Sequence, residues 1–543
     1  MASRREHRGR QKRPSRGQRR ARRDAHLRVP EPEIVLPSRR TEPETVVAHV
    51  GPTNSGKTHA ALEFLAETGR GVFAAPLRML AQEAHRRLGE RIGPENVALI
   101  TGEERVNEGA PIVCCTVEMA PMTGDVLVLD EVQWADDDER GSAWTRLLLA
   151  GEYREILLLG ALDALPLVRN AFPDAEVKVF ERKLPLEFIG ERPLTMLDPG
   201  SVVVAFSRKA VLALAGEINR RRPGKVAVLY GAMPLASRRT EIDRFLDGRA
   251  EVCVATDVLG HGVNLPCETL LFAETTKFDG QERRALRPWE LAQIAGRAGR
   301  FGLVERGHVG VLTGIPWAAP DPTLVDSALQ PHVHLPDGHL GYRVVDTGRI
   351  RPRLSDLGVE AAWQLAPALS AWYRAAVREY ASEGWLDVES IEPVAARLDV
   401  VEKRLEQRRR SLGVEKLWTL INAPVDEDSL ELLAVLALAL AGDQAQRPIL
   451  DRLLDARSLR DAPLEDAEAA GRTASILRWF ALQFEGVGGV TIERAAALEL
   501  AAAERVVARL QAEVARPTVG RCRACGSATA PWFALCDRCF SRR

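Results

Sequence analysis

Four stretches of the sequence place chemically useful residues at telling distances. Gly51-Pro52-Thr53-Asn54-Ser55-Gly56-Lys57-Thr58 has the GxxxxGK[ST] spacing of a phosphate loop. Its glycines let backbone N–H groups curl around a β-phosphate. Lys57 neutralises β/γ charge, and Thr58 offers its hydroxyl to Mg²⁺. Downstream, the apolar run Val126 to Leu129 ends in Asp130-Glu131-Val132-Gln133. At a strand tip Asp130 can hold a Mg²⁺ shell, and Glu131 can orient and deprotonate an attacking water. Gln293-Ile294-Ala295-Gly296-Arg297-Ala298-Gly299-Arg300 puts two arginines on one face of a helix. Guanidinium groups so placed stabilise charge developing on a γ-phosphate. The fourth stretch holds two CxxC pairs, Cys522/Cys525 and Cys536/Cys539, separated by ten residues. Four thiolates at this spacing suit a closed, structural Zn²⁺ site, the zinc ribbon, whose folding energy the metal supplies.

For this chemistry the loop must follow a strand and open a helix, and the carboxylates must share the same sheet edge. The sequence provides that frame. Short apolar runs end in turn residues at Val46–Val50, Gly71–Ala75, Val97–Thr101, Ile112–Thr116, Val126–Leu129 and Ile156–Leu159. Runs that are apolar throughout are what a parallel sheet covered on both faces requires, and their alternation with helical stretches predicts a doubly wound α/β domain. A second series follows at Val202–Phe206, Val226–Leu229, Glu251–Ala255, Thr269–Phe272 and Val309–Leu312. Two tandem α/β domains make the cleft between them the expected site of chemistry. The expected organisation is a basic disordered arm (1–40), a first α/β domain (41–190), a second (191–320), a mainly helical accessory domain (321–515) and the zinc ribbon (516–543). Within the helical region Leu432–Ala441 reads as a buried helix. Val400–Leu412 and Ile492–Leu510 read as amphipathic ones.

With 46% apolar and 27% charged residues in 543, a disordered or fibrous chain is excluded. The longest apolar run, Leu432 to Ala441, is far below the ~18 residues of a membrane span. The net charge of −1 is unevenly spread: residues 1–40 hold fourteen Lys/Arg against four acids. Such an arm suits a polyanion, or is simply a solvated tail. It lacks the apolar stretch of a secretory signal and the apolar face of a transit peptide, so a cytoplasmic location is expected. Cys114, Cys115, Cys253 and Cys267 read as buried thiols. Around the paired cysteines, arginines interleave with Trp532, Phe533 and Phe540. That mixture suits either a grip on single strands or a small aromatic core.

The phosphate loop, the DEVQ tetrad and QIAGRAGR, in this order on two tandem domains, resemble a superfamily 2 helicase. Within it the chain is similar to the mitochondrial-degradosome type of RNA helicase, a family with bacterial members. The matching phrases include Ala75-Pro76-Leu77-Arg78, Leu99 to Glu104, Cys115 to Met119, Phe206-Ser207-Arg208, Leu229 to Ala232, Ala255 to Leu265 and Gln293 to Phe301. The resemblance covers about residues 45 to 315 and implies two RecA-like domains hydrolysing ATP with Mg²⁺ on an RNA track. It implies that Gln133 couples the nucleotide to the second domain. Gln293, Arg297 and Arg300 would sense the γ-phosphate, and Asp257 and Gly260 would lie near the ribose and cleft. Arg78, Thr101, Gly102, Thr116, Ser207 and Thr256 would line the nucleic-acid track. Hydroxyls, backbone N–H groups and an Arg hold a sugar–phosphate chain without reading bases. Strand-end capping explains the same hydroxyls. The resemblance also leaves room for a nuclease partner and gives no role to a membrane.

The chain departs from the family pattern at Leu159-Gly160-Ala161-Leu162, which offers no hydroxyl where a small polar triad links the sites. The reading that follows is an ATP-dependent RNA helicase. The alternatives are the same motor on DNA, since no motif sees a 2′-OH directly, and a non-hydrolysing nucleic-acid-binding scaffold.

Overall fold

The computed structural model describes residues 32, 34–182, 184–257, 265, 267–278, 282–299, 306–315, 317–329, 345–380, 384–514, 520–526, 528–529 and 539. Eight strands form the first sheet: β1 (Thr45–Val50), β2 (Gly71–Ala75), β3 (Val97–Ile100), β4 (Arg105–Val106), β5 (Ile112–Thr116), β6 (Thr123–Leu129), β7 (Glu152–Gly160) and β8 (Glu176–Val179). They lie in the order β4-β3-β5-β2-β6-β7-β1-β8, parallel except for the β3–β4 pair. The strand period of two divides their apolar residues between two layers. Val126 and Val128 face the helices Lys57–Thr68 and Arg78–Ile92, while Leu127 and Leu129 face the helix Gly141–Ala150.

The register fixes the site. Val50 pairs with Gly160, and Leu129 with Leu158. The ends of β1, β7 and β6 therefore lie side by side at the carboxyl edge. The phosphate loop leaves the first, Asp130 and Glu131 leave the last, and Gly160-Ala161 emerges between them.

The second sheet contains β9 (Leu186–Pro193), β10 (Ser201–Val204), β11 (Val226–Leu229), β12 (Val252–Ala255), β13 (Thr269–Phe272) and β16 (Gly307–Thr313), with the hairpin β14 (Thr276–Phe278) and β15 (Arg283–Ala285) outside it. Its order is β11-β12-β10-β13-β16-β9, parallel throughout. All eleven apolar runs read from the sequence are strands. The strand β9 was not among them, and it places residues 186–190 in the second sheet, not in the first domain. Its residues are all exposed or half-buried, as an edge strand allows, and its sequence mixes charged with apolar residues, so no apolar run announces it.

The third region is helical, with a parallel pair β17 (Gly348–Ile350) and β18 (Leu386–Val388). The expected buried helix is Leu430–Leu440, and the amphipathic ones are Glu392–Gln407 and Ile492–Val514. The former does not run on to Leu412. Arg409 takes φ +53°, and the Arg410 N–H turns back to the Leu405 carbonyl at 2.9 Å, ending the helix. Residues 1–31 lie outside the described residues. The end of the expected disordered arm is packed: Ile34 and Leu36 lie against the helical core, and the Arg39 guanidinium sits 4.2 Å from the Phe172 ring centre. Among the described residues no helix is long and apolar enough to cross a membrane.

Candidate functional site: a composite pocket between two sheets

The phosphate loop makes a close turn. Gly51 has φ +154°, and a Cβ there would sit 2.1 Å from the Phe180 carbonyl oxygen, so only glycine fits. Asn54 and Gly56 are also left-handed (φ +61° and +94°), turning the loop into the first turn of helix Lys57–Thr68. Ser55 is buried, Pro52 is exposed, and Thr58 is half-buried at the helix start. The Lys57 ammonium donates to the carbonyls of Gly51 (2.6 Å) and Pro52 (2.8 Å) and to Ser55 Oγ (3.3 Å). It is thus held over the mouth of the loop, where a phosphate would replace neutral carbonyls as its partner.

Asp130 is buried at the tip of β6, and the Trp144 indole N–H donates to its carbonyl at 3.0 Å. The next residue, Glu131, takes φ +49°, ψ +54°, a left-handed conformation that costs a non-glycine residue about 1–3 kcal/mol. Its N–H donates to Asp130 Oδ1 at 3.0 Å. Gln133 closes the turn: its amide donates to the Glu131 carboxylate, and its Oε1 accepts from the Ala161 N–H at 3.2 Å. The apolar Leu159–Leu162 stretch therefore lacks a hydroxyl yet still ties to the carboxylate turn, through its backbone. The sequence reading missed Ala161 because a main-chain donor carries no side-chain signature.

From the second sheet, the helix Pro288–Ala295 ends at Gly296, and Arg297 follows in the turn. Asn54 Nδ2 donates across the cleft to the Gly296 carbonyl at 2.9 Å. A Cβ on Gly296 would approach Thr53 Cβ to 3.0 Å, which explains a glycine here. The charges converge as the backbones do. Burial lowers the Lys57 pKa, Glu131 and Asp130 raise it, and Arg297 lowers it further. Burial raises the Asp130 carboxyl, Glu131 raises it again, and Lys57 and Arg297 oppose that shift. Arg297 is lowered by burial and held charged by Glu131 and Asp130. Two cations and two carboxylates, drawn from both domains, therefore lie within electrostatic reach of one another. Gln293 is half-buried on the same helix. Arg300 and Gly260 lie outside the described residues, and Asp257 is half-buried just after Thr256.

Residues 32–181 match the family described as the DEXQ-box helicase domain of Suv3, and residues 187–302 match the helicase conserved C-terminal domain. The chain thus carries a Suv3-type DEXQ-box helicase domain followed by a helicase C-terminal domain. The chain is similar to the DExH-box ATP-dependent RNA helicase DExH16, mitochondrial, of Arabidopsis thaliana, with 38% identity covering 50% of this chain and 49% of the relative. It is also similar to the ATP-dependent RNA helicase SUV3, mitochondrial, of Saccharomyces cerevisiae, with 37% identity over 50% of this chain and 39% of the relative. The chain thus spans half or less of the length of these relatives. Among solved structures, S. cerevisiae Dbp5 bound to RNA and ADP BeF3 aligns with 54% of this chain and 83% of its own, at 18% identity and a TM-score of 0.41. The cytoplasmic location expected from the sequence is corrected. The relatives in Arabidopsis, yeast, rice and Caenorhabditis elegans are named as mitochondrial, not cytoplasmic.

Around the helicase core, the residues expected on the nucleic-acid track fall into two groups. Arg78 stands at the start of its helix, paired with the Glu103 carboxylate. It lines a cavity of about 320 Å³ with Met233, Arg238, Arg472 and Glu499. Gly102 adjoins the helical region, its would-be Cβ 3.8 Å from Trp479. The hydroxyls are mostly engaged in local structure. Thr101 Oγ1 accepts from the N–H groups of Glu103 (3.3 Å) and Glu104 (3.0 Å), and Ser207 Oγ caps a helix through Ala210 N–H at 3.1 Å. Thr116 and Thr256 are buried at the ends of β5 and β12.

Proposed function

We propose that this chain is an ATP-dependent RNA helicase whose two RecA-like domains close on a triphosphate and move along a single strand. The observation that carries the reading is the shared field of Lys57, Asp130, Glu131 and Arg297. A phosphate cradle and two carboxylates from one domain meet a guanidinium from the other, an arrangement that rewards a bound γ-phosphate with domain closure. Lys57 binds the phosphates. Glu131, steadied by Gln133, orients the attacking water and accepts its proton. Arg297, with Gln293 and Arg300, meets the developing charge. Thr58 and the buried Asp130 form the oxygen donor set that suits Mg²⁺, which when bound neutralises β/γ charge. Arg78, Gly102 and the lining of the adjoining cavity supply the strand contacts. RNA is favoured over DNA by the relatives' names, and a nuclease partner rests on the family resemblance alone.

Lys57→Ala is expected to abolish both phosphate release and strand displacement. Glu131→Gln is expected to keep nucleotide binding while lowering turnover by about 10²–10⁴-fold. Release is measured with matched RNA and DNA single strands at fixed salt, because phosphate contacts are salt-dependent. A Lys57→Ala protein that still unwinds with ATP overturns the site, and equal stimulation by DNA overturns the RNA preference.

For the C-terminal segment we propose a structural zinc ribbon. The sulfur atoms of Cys522, Cys525 and Cys539 lie within 4.8 Å of one another. The Gly526 N–H returns to the Cys522 carbonyl at 2.9 Å, with Gly526 at φ +73°, and Gly520–Arg521 pairs with Ala528–Thr529. That tight turn presents two thiols to one point. Cys536 lies outside the described residues and is the fourth ligand by its spacing.

A further inference from the structure

Arg182 belongs to none of the sequence motifs. It sits on the connection between β8 and β9, the chain segment that joins the two sheets. Its Nε donates to the Leu184 carbonyl at 2.7 Å, and its Nη1 to the carbonyls of Thr53 (2.9 Å) and Gly296 (2.7 Å). Its Nη2 donates to the Ala298 carbonyl. One planar group therefore binds the linker, the phosphate loop of the first domain and the turn of the second domain that carries Arg297. We propose that Arg182 is a positioning residue that latches the phosphate loop to this turn, and so presents Arg297 to the γ-phosphate.

Three further observations support the latch. Its partners among the described residues are four main-chain carbonyls, so the link reports backbone position and not side-chain identity. Asn54 Nδ2 donates to the same Gly296 carbonyl, so loop and latch converge on one oxygen from two directions. Burial lowers the guanidinium pKa to about 10, which leaves it charged at neutral pH. Among the described residues it donates to carbonyl oxygens and to no carboxylate, so its hold is on the backbone of both domains. Rotation of either domain about the linker has to break the Thr53 bond or the Gly296 and Ala298 bonds. Domain opening and loss of Arg297 alignment are then the same event. Only arginine spans this set, because its donors are fixed in a rigid fork, whereas a lysine ammonium is a point.

The inference rests on the ATP-hydrolysing reading, so the test separates the two. Hydrogen exchange of the full chain is followed by mass spectrometry with and without Mg²⁺ and a non-hydrolysable ATP analogue. Wild type, Arg182→Gln and Arg182→Lys are compared, with steady-state phosphate release measured alongside. In wild type the analogue is expected to slow exchange both in 51–58 and in 293–299. In Arg182→Gln it is expected to protect 51–58 alone, while kcat falls about tenfold or more and KM for ATP stays within about twofold. Arg182→Lys is expected to behave like Arg182→Gln, whereas a residue that only fills space with charge would be rescued by lysine. Wild-type protection of 293–299 in Arg182→Gln, or full rescue by lysine, overturns the latch while leaving the ATPase reading intact. Absence of nucleotide protection in wild type overturns the ATPase reading, and the latch falls with it.

Discussion

Gln133 stands at a meeting of two signals that the sequence shows separately. Its place in the DEVQ tetrad implies coupling, while Leu159–Leu162 lacks the hydroxyl that would receive that coupling. The geometry reconciles them. The Ala161 N–H donates to Gln133 Oε1 at 3.2 Å, and the Gln133 amide steadies the Glu131 carboxylate. Because β7 lies between β1 and β6, Ala161 emerges between the phosphate loop and the carboxylates, and one amide side chain can reach both sides. Gly160 is held to glycine by the same crowding, since a Cβ there would lie 2.7 Å from Val132 Cγ1 and 3.0 Å from Gln133 Oε1. Gln133→Ala leaves the nucleotide cradle whole and frees Glu131 to swing. Its RNA-stimulated kcat is expected to fall about 10–100-fold with little change in KM for ATP, the pattern of an interaction needed in the transition state. Steady-state phosphate release reads this directly, and an unchanged kcat would show that the bridge is not used in turnover.

The helix Pro288–Ala295, which aims Gln293 and leads into Arg297, is fixed at its start by one carboxylate. Glu290 accepts from Arg284 at 2.9 and 3.0 Å, from the Arg287 N–H at 2.7 Å, and pairs with Lys277 at 2.6 Å, so the β14–β15 hairpin and the helix move together. Burial alone would raise its pKa, but the bonds from Arg284, Lys277 and the Arg287 N–H outweigh it and depress the carboxyl to about 2. A depressed acid contributes stability that is present above its unfolded pKa of about 4.3 and is lost as pH falls through the folded value. The contribution is expected to be about 1–2 kcal/mol after screening, and to vanish between about pH 4 and 2. Glu290→Gln should therefore lower the unfolding midpoint at pH 7 and flatten its acid dependence, as a urea titration at several pH values would show. At this scale the sequence was legible where chemistry or burial is contiguous. The eleven strands read as apolar runs are largely buried, edge strand β11 included, and the phosphate loop and DEVQ tetrad are continuous phrases. The strands β8 and β9 were not legible because they are partly exposed. Glu290 was not, because its partners come from a hairpin that no alternation announces. Asn54 and Gly296 meet 242 positions apart, a contact set by packing and not by spacing.

Across the whole molecule the helical region acts as a brace with a foot on each domain. On the second domain, Leu464 and Ala467 of helix Leu464–Gln483 share a core with Val506, Leu510 and Val514 of helix Ile492–Val514. Tyr230 donates its hydroxyl to Glu468, which also takes Arg208 Nε at 3.0 Å. Farther along the same helix, Ser475 donates to Glu103, the partner of Arg78 on the first domain. A third foot, again on the first domain, rests near the DEVQ turn, where Arg349 pairs with Asp136 (3.5 Å) and Asp138 (2.9 Å) and Val345 joins the first domain's core. The feet differ in kind, and their strengths should differ accordingly. Leu510 is buried among apolar neighbours from two elements, so Leu510→Ala removes transfer energy and leaves a cavity, a loss of about 2–5 kcal/mol. Ser475→Ala removes one hydrogen bond while Arg78 still satisfies Glu103, a loss of about 1 kcal/mol. Denaturant titrations would rank the two. Equal losses would mean that the polar foot is as rigid as the apolar one. The expected inequality makes the contact at Glu103 the place where the brace yields first. Arg78 and the cavity wall it forms with Arg238 and Arg472 then become the surface that changes most when the domains move.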